Sequence, residues 1–226
     1  MCFSATASFT TGAVLLPLGI YCVRDTFVWN RKLVPFSLIP FFFAIQQIIE
    51  GFVWQSFEMN VDVKTAAYGF LFFSHLFWLF WVPLSTWAIE IENTKKRYLF
   101  FYTLAGLCFG LSLYVPFHIQ SNWFSVFIIN HSIHYETTLI YDNYISRQVV
   151  QILYMLFSIL PFLFSSLKIV QLFGLLIFMS VFIAGYYFDY AFISVWCYFS
   201  AILSIYIYYI LNQCKKSELN KAIISQ

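Results

Sequence analysis

The sequence predicts an all-α integral membrane protein with seven transmembrane helices in a single transmembrane domain, residues 1–226. Of the 226 residues, 62% are hydrophobic and only 10% are charged, and the mean hydropathy is +0.79. Soluble domains carry about a quarter charged residues, so this chain has too few charges to cover a soluble surface. Its apolar residues also gather in seven runs, each close to the roughly 20 residues that cross a bilayer.

The seven runs follow one another with polar breaks between them. They lie near 8–24, 35–57, 66–90, 98–117, 148–166, 168–186 and 190–213. The break between the fifth and sixth runs is the weakest, because only Ser165, Ser166 and Lys168 interrupt the apolar sequence after Pro161. Polar residues close to a proline favour a tight turn at this point.

Lysine and arginine are divided unevenly between the two sides of the predicted bundle. Positively charged loops mark the cytoplasmic side of a membrane protein. One side carries Lys64 and Arg147, and the other carries Arg24, Arg31, Lys32, Lys95, Lys96, Arg97, Lys168, Lys215, Lys216 and Lys221. The sequence therefore predicts that the N-terminus is outside, that the C-terminus is inside and that residues 214–226 form a cytoplasmic tail.

The only long loop, 118–147, lies outside in this topology. Its stretch "WFSVFIINHSIHYETTLIY" is rich in β-formers that partly alternate with polar residues, with an interruption at Asn130 and His131. This pattern predicts a β-hairpin or an extended lid over the outer face. Tyr135, Tyr141 and Tyr144 are expected at the wet interface. A plain connector is the alternative, although loops of this length usually have a role.

The second run contains polar residues that a lipid-facing helix would lack. In "AIQQIIEGFVWQ", Gln46, Glu50 and Trp54 are spaced i, i+4 and i+8 and share one helix face, and Gln47 stands beside them. A carboxylate in hydrocarbon costs about 3 kcal/mol and is therefore usually turned towards a partner, water or the bundle interior. Glu50 is the strongest functional candidate. The alternative is that these side chains only join helices by hydrogen bonds.

Other polar residues reach a similar depth on the outer side. His75 lies in the third run, and Ser194, Trp196 and Cys197 lie in the outer third of the seventh. His75 has the plain alternative of a hydrogen bond to a neighbouring helix, and tryptophans are often packing or interfacial residues. The sequence predicts an outward-facing ligand or proton pocket formed by Gln46, Gln47, Glu50, Trp54, His75, Trp196 and Cys197.

A metal site is a second interpretation, with Cys2, His131 and His134 as candidate ligands. If Met1 is removed, Cys2 presents an amine and a thiol on adjacent atoms, which suits a soft metal. His131 and His134 would point to opposite faces of a strand. The alternatives are an ordinary thiol and exposed loop histidines, and neither a CxxC pair nor an HExxH motif is present. The sequence leaves a bound metal or haem open.

Three motifs resemble an uncharacterised family of bacterial multi-pass membrane proteins. They are "MCFSATASF" at the start, "QQIIEGFVW" in the second run and "SVWCYFSA" in the seventh. The resemblance covers the whole chain and implies a location in the bacterial cytoplasmic (inner) membrane, but it implies no activity. It draws attention to Cys2, Phe3, Ser4, Gln46, Gln47, Glu50, Gly51, Trp54, Trp196 and Cys197.

Two other seven-helix classes are disfavoured. The predicted topology also looks like that of rhodopsins, but residues 190–213 contain no lysine for a retinal Schiff base. Zinc hydrolases of the ceramidase type use several helix-borne histidines, whereas only His75 lies within a predicted span here. Likeness of fold alone carries little weight for function.

Three functions are compatible with these observations. The first is a pocket around Glu50 that binds, senses or passes a small ligand, an ion or protons. The second is a metal-dependent membrane enzyme with an outer site, and the third is a structural partner of other membrane proteins. The lipid bilayer is the expected environment, and the absence of a basic run argues against nucleic acid. Enzyme activity and oligomeric state are left open.

Overall fold

The structure is a computed structural model, and it describes residues 4–120 and 122–224. Within these residues, seven helices are long and apolar enough to cross a membrane, as the sequence predicted. They are α1 (Ala5–Trp29), α2 (Arg31–Glu58), α3 (Lys64–Ile89), α4 (Asn93–Ile119), α5 (Arg147–Phe164), α6 (Lys168–Tyr187) and α7 (Asp189–Ser217). The predicted break between the fifth and sixth runs is confirmed, because α5 ends at Phe164 and α6 begins at Lys168.

Small residues allow neighbouring helices to approach closely. The N-cap of α1 is Ser4, whose hydroxyl accepts a hydrogen bond from the backbone N–H of Ala7. A Cβ atom on Gly19 would lie 2.6 Å from the Cα atom of Phe41 in α2. A Cβ atom on Gly106 in α4 would lie 2.1 Å from the carbonyl oxygen of Leu79 in α3. Both contacts therefore require glycine, as is common between membrane helices.

Three of the seven helices are not regular along their whole length. In α2, a 3₁₀ turn (Arg31–Leu33) and a short turn of helix (Val34–Ser37) precede the main segment (Ile39–Glu58). In α3, a π-helical stretch (Phe72–Phe77) separates Lys64–Leu71 from Trp78–Ile89. In α7, Asp189–Ala191 is a 3₁₀ turn, followed by Phe192–Leu203 and Tyr206–Ile224. The π-helical stretch contains His75, and such stretches are frequent at functional sites.

A β-hairpin follows α4 and confirms the hairpin that the sequence predicted. Strand β1 (Phe124–Ile129) pairs antiparallel with β2 (Ser132–Thr137), and Val126 stands opposite Tyr135. Asn130 and His131 both have positive φ angles, 48° and 57°, as a two-residue type I′ turn requires. The predicted loop, 118–147, is slightly too long at both ends, because α4 reaches Ile119 and α5 starts at Arg147.

The hairpin lies against the ends of the helices rather than extending into solvent. Its inner face buries Phe124, Val126, Tyr135 and Thr137. The ring of Phe124 meets that of Tyr68 in α3 edge-on, with 4.7 Å between the ring centroids. We call this end of the bundle the hairpin end.

The opposite end carries the connections that follow α1, α3 and α5, and we call it the lysine-rich end. Helix α7 continues into the predicted tail, 214–226, and is described as far as Ile224. There the ammonium group of Lys215 lies 2.6 Å from the Asp25 carboxylate of α1. The ion pair joins the last helix of the chain to the first.

Candidate functional site

Glu50 lies at the centre of a buried polar cluster. It stands on α2 with 2% of its surface exposed, and Gln46 and Gln47 are fully buried. The Gln47 amide donates a hydrogen bond of 3.1 Å to Glu50 Oε2. The Ser194 hydroxyl, on α7, donates a short hydrogen bond to Glu50 Oε1. The carboxylate that the sequence singled out therefore joins α2 to α7.

A second hydrogen bond joins α2 to α3 near Glu50. The indole N–H of Trp78 donates to Gln46 Oε1 at 2.7 Å. The Trp78 ring stacks on Phe43, one turn before Gln47 on α2, with 4.0 Å between centroids. Because Gln46 and Glu50 are one helical turn apart, one face of α2 contacts both α3 and α7. Trp78 was not among the predicted site residues, since a tryptophan in an aromatic helix gives no specific signal.

The hairpin adds Tyr135 to the cluster. Tyr135 is 5% exposed and stacks almost parallel on Phe70 of α3, with ring centroids 4.6 Å apart. Burial, and then the nearby Glu50 and Cys197 side chains, raise the pKa of its hydroxyl well above the ordinary value. The expectation of a wet interface is therefore wrong for Tyr135, although Tyr144 is 86% exposed. In the sequence, the alternation of apolar and polar residues along β2 indicates that one face of the strand, which includes Tyr135, is buried.

Several buried polar atoms on α2, on α7 and in the hairpin have no hydrogen-bond partner within residues 4–120 and 122–224. They are Gln46 Nε2, Gln47 Oε1, Trp54 Nε1, Trp196 Nε1 and the Tyr135 hydroxyl. Buried polar groups in folded proteins are almost always hydrogen-bonded, either to protein or to ordered water. This concentration of unused donors and acceptors next to a carboxylate is therefore suited to water or to a small polar ligand.

A cavity of about 100 Å³ lies under the hairpin beside this cluster. Its polar lining comes from Thr137, Arg147, Gln151 and His75, and the remaining lining residues are Leu113, Leu139, Val150, Tyr154, Phe192, Ile193, Trp196 and Cys197. A volume of this size holds several water molecules.

The predicted pocket residues are all buried, but they divide into two groups. His75, Trp196 and Cys197 line the cavity, whereas Gln46, Gln47, Glu50 and Trp54 do not. Cys197 lies beside Gln46 and so stands between the cavity and the carboxylate. His75 Nδ1 lies 2.9 Å from the hydroxyl of the adjacent Ser74. This hydrogen bond is within α3 and is not the bond to a neighbouring helix that was the alternative for His75.

Polar contacts fasten the hairpin over the cavity. The Arg147 guanidinium donates to the carbonyl oxygen of Thr137 and lies 2.7 Å from the Asp142 carboxylate. On the other side, His134 Nδ1 donates a short hydrogen bond to the carbonyl oxygen of Tyr190, at the start of α7. These contacts hold the hairpin between α5 and α7.

The candidate metal ligands are not brought together among the described residues. Cys2 lies outside them, His131 is exposed at the tip of the hairpin, and His134 is bonded to Tyr190. Within the described residues, 4–120 and 122–224, no group of three or more His, Cys, Asp and Glu side chains is arranged to hold a metal. The metal site with Cys2 stays a prediction.

Comparison with known protein families identifies the family of this chain. A model of DUF6629, a family of unknown function, matches residues 1–222. The chain belongs to this family. No curated protein and no solved structure shows significant similarity to it. This match confirms the resemblance to an uncharacterised family. Because the function of DUF6629 is unknown, membership does not indicate an activity.

Proposed function

We propose that this DUF6629 protein binds a small polar ligand, an ion or protons in the site around Glu50, and that the ligand enters from the hairpin end. The protein is a multi-pass membrane protein. The proposal includes a bacterial inner-membrane location with the hairpin end outside, which the positive charge of the other end supports.

The concentration of unpartnered polar atoms around a buried carboxylate carries this proposal. A carboxylate in a membrane protein interior is costly unless it is paired or functional. Glu50 has two hydrogen bonds, from Gln47 and Ser194. Gln46 and Trp54 on the same helix face, and Trp196 in the lining of the cavity, retain unused N–H groups. A purely structural cluster would be expected to satisfy its own donors.

The unused atoms describe the kind of ligand that would fit. Gln46 Nε2, Trp54 Nε1 and Trp196 Nε1 offer N–H donors, whereas Gln47 Oε1 offers an acceptor. The Tyr135 hydroxyl is able to act in both ways. A small molecule with carbonyl or hydroxyl oxygens and at least one donor of its own matches this set, and so does a chain of water that carries protons.

Thiol labelling tests whether the cavity gives access from the hairpin end. In a protein that keeps Cys197 as its only cysteine, a small methanethiosulfonate reagent added on the hairpin side should modify it, because Cys197 lines the cavity. The matched control keeps only Cys22, which is equally buried but stands in α1. Equal labelling of the two cysteines, or labelling of Cys197 only from the other side, would contradict the proposed entry.

A structural role is the second candidate, and one observation favours it. The hydrogen bonds of Glu50 and Gln46 join α2 to both α7 and α3, as residues that only hold helices together would do. Glu50→Gln distinguishes the two roles. The substitution preserves the shape of the side chain and removes its charge. Unchanged binding of a ligand, an ion or protons would therefore support the structural role.

The metal-dependent enzyme is tested by elemental and absorption analysis of the purified full chain, before and after a chelator. A metal present in stoichiometric amount, or a haem spectrum, would favour the metal-dependent enzyme, with Cys2, His131 and His134 as the candidate ligands. A metal-free spectrum would leave the site around Glu50 as the leading proposal.

A further inference from the structure

We infer that the cleft at the lysine-rich end binds the phosphate-bearing headgroup of an anionic phospholipid. The cleft lies at the opposite end of the bundle from Glu50, so this inference is independent of the function proposed above. It has a volume of about 440 Å³. Its lining comes from the ends of α1, α2, α3, α4, α6 and α7: Asn30, Lys32, Leu33, Lys96, Leu167 and Gln213 are among the residues that form it.

Two lysines in this cleft, unlike Lys95 and Lys215 close by, have no acidic partner among the described residues. Lys95 lies 3.7 Å from Glu92, and Lys215 lies 2.6 Å from Asp25. In contrast, Lys32 and Lys96 form no ion pair with any residue in the part of the chain that the structure describes. The ammonium group of Lys96 instead lies 4.9 Å from the centre of the Trp87 ring. Two positive charges from different helices therefore face the same cleft.

Glu90 also lines the cleft and offsets one of the two positive charges, but it forms no ion pair with Lys32 or Lys96 among the described residues. Glu90 Oε1 accepts hydrogen bonds from the backbone N–H groups of Ile91 and Glu92, at 2.8 and 2.9 Å. Glu90 Oε2 accepts another from the backbone of Ser166 at 2.8 Å. Backbone donors thus surround the carboxylate and leave the lysines available to an external anion.

The start of α6 adds to the attraction for an anion. Leu167 stands at the N-cap of this 20-residue helix, where it provides no side-chain hydrogen bond, and both Leu167 and Ile169 line the cleft. The first N–H groups of a helix carry a partial positive charge that favours phosphate. The partial charge of the helix end adds to the full positive charges of the two lysines, which contribute most of the attraction.

The remaining walls of the cleft favour a lipid over free phosphate. Leu33, Ala88, Ile89, Leu167 and Ile169 form apolar walls next to the charged groups. The cleft also lies where the helices end, which is the depth of lipid headgroups in a bilayer. Basic pockets between membrane helices are recognised binding sites for anionic headgroups. A phosphodiester with acyl chains is able to use both parts of such a cleft, whereas inorganic phosphate uses only the charged part.

Native mass spectrometry of the full chain in a mild detergent tests this inference. The probes are phosphatidylglycerol and phosphatidylcholine with identical acyl chains, each added to lipid-stripped protein. The parent protein should prefer phosphatidylglycerol, and Lys32→Gln/Lys96→Gln should weaken that binding about tenfold. Lys64→Gln/Lys216→Gln is the control, because it removes the same charge from residues that do not line the cleft. All variants should elute as the parent does in size-exclusion chromatography.

Three results would overturn the inference. Equal binding of the two lipids would remove the need for an anionic site. An equal loss in both double variants would show a general charge effect rather than this cleft. Displacement of phosphatidylglycerol by low millimolar inorganic phosphate would assign the cleft to a free anion instead of a lipid.

Discussion

The two ends of the bundle each bury a glutamate, and the two carboxylates are satisfied in different ways. Glu90 accepts three hydrogen bonds from backbone N–H groups of the α3–α4 and α5–α6 connections. Glu50 accepts two from the side chains of Gln47 and Ser194 and has unpartnered polar atoms around it. Backbone donors fix a carboxylate as part of the fold, whereas side-chain donors can exchange partners. The comparison therefore supports a structural role for Glu90, and it agrees with the function proposed above for Glu50.

The largest effect on stability is expected from Glu90→Ala. The substitution leaves three backbone N–H groups without their acceptor, and losing such bonds to a charged group should lower the free energy of unfolding by about 3 kcal/mol. Thermal unfolding of the purified protein in detergent, compared with Glu136→Ala on the exposed edge of β2, measures this loss. A change as small as that of the control would end the structural interpretation of Glu90.

The pH dependence of stability sharpens the assignment of Glu90. Burial alone would raise its pKa, but the N–H groups of Glu92, Ser166 and Ile91 stabilise the charged form and hold the pKa below its ordinary value. A lowered pKa in the folded state adds stability above the unfolded value and loses it as the pH falls through the folded value. The difference in melting temperature between the parent and Glu90→Gln should therefore shrink as the pH is lowered from neutral to about 3.

Substitution of Glu50 should have a smaller effect on stability and a large one on function. Glu50→Gln keeps an acceptor for Ser194 and is expected to cost about 1 kcal/mol, whereas Glu50→Ala leaves buried donors unpartnered and should cost about 2–3 kcal/mol. Thermal unfolding measures both values. If Glu50→Gln destabilised the protein as much as Glu90→Ala, the distinction between the two glutamates would fail.

Loosening the hairpin should change access to the cavity more than it changes stability. Arg147→Gln removes a partly exposed ion pair with Asp142, and such pairs contribute about 0–1 kcal/mol. We expect methanethiosulfonate labelling of Cys197 to become about two- to fivefold faster as the hairpin opens more often. Lys64→Gln, at the same end, is the control. Unchanged labelling would show that the hairpin does not limit entry.

The smallest effect is expected from His131→Ala. His131 is exposed at the turn of the hairpin, so the change should alter the free energy of unfolding by less than about 0.5 kcal/mol. The metal content of the purified protein should also stay the same. Loss of a stoichiometric metal from this variant would move the functional centre from Glu50 to the metal site.

Much of the fold could be predicted from the sequence, because its signals are local. Seven apolar runs of sufficient length became seven helices, and alternating β-formers on both sides of Asn130 and His131 became the hairpin. The cost of a charge in hydrocarbon was enough to predict that Glu50 is turned towards the bundle interior, where it is 2% exposed. Gln46 shares a helix face with Glu50, so its burial followed from the same cost.

The partners of these residues depended on the tertiary structure. Whether Ser194 reaches Glu50, or Trp78 reaches Gln46, depends on how each helix is rotated about its axis and where close contacts such as that at Gly19 set its position. Tyr135 joins the site only because the hairpin folds back onto the helix ends. Hydrophobicity along a chain determines which segments enter the membrane, but the packing of distant segments determines which polar groups meet inside it.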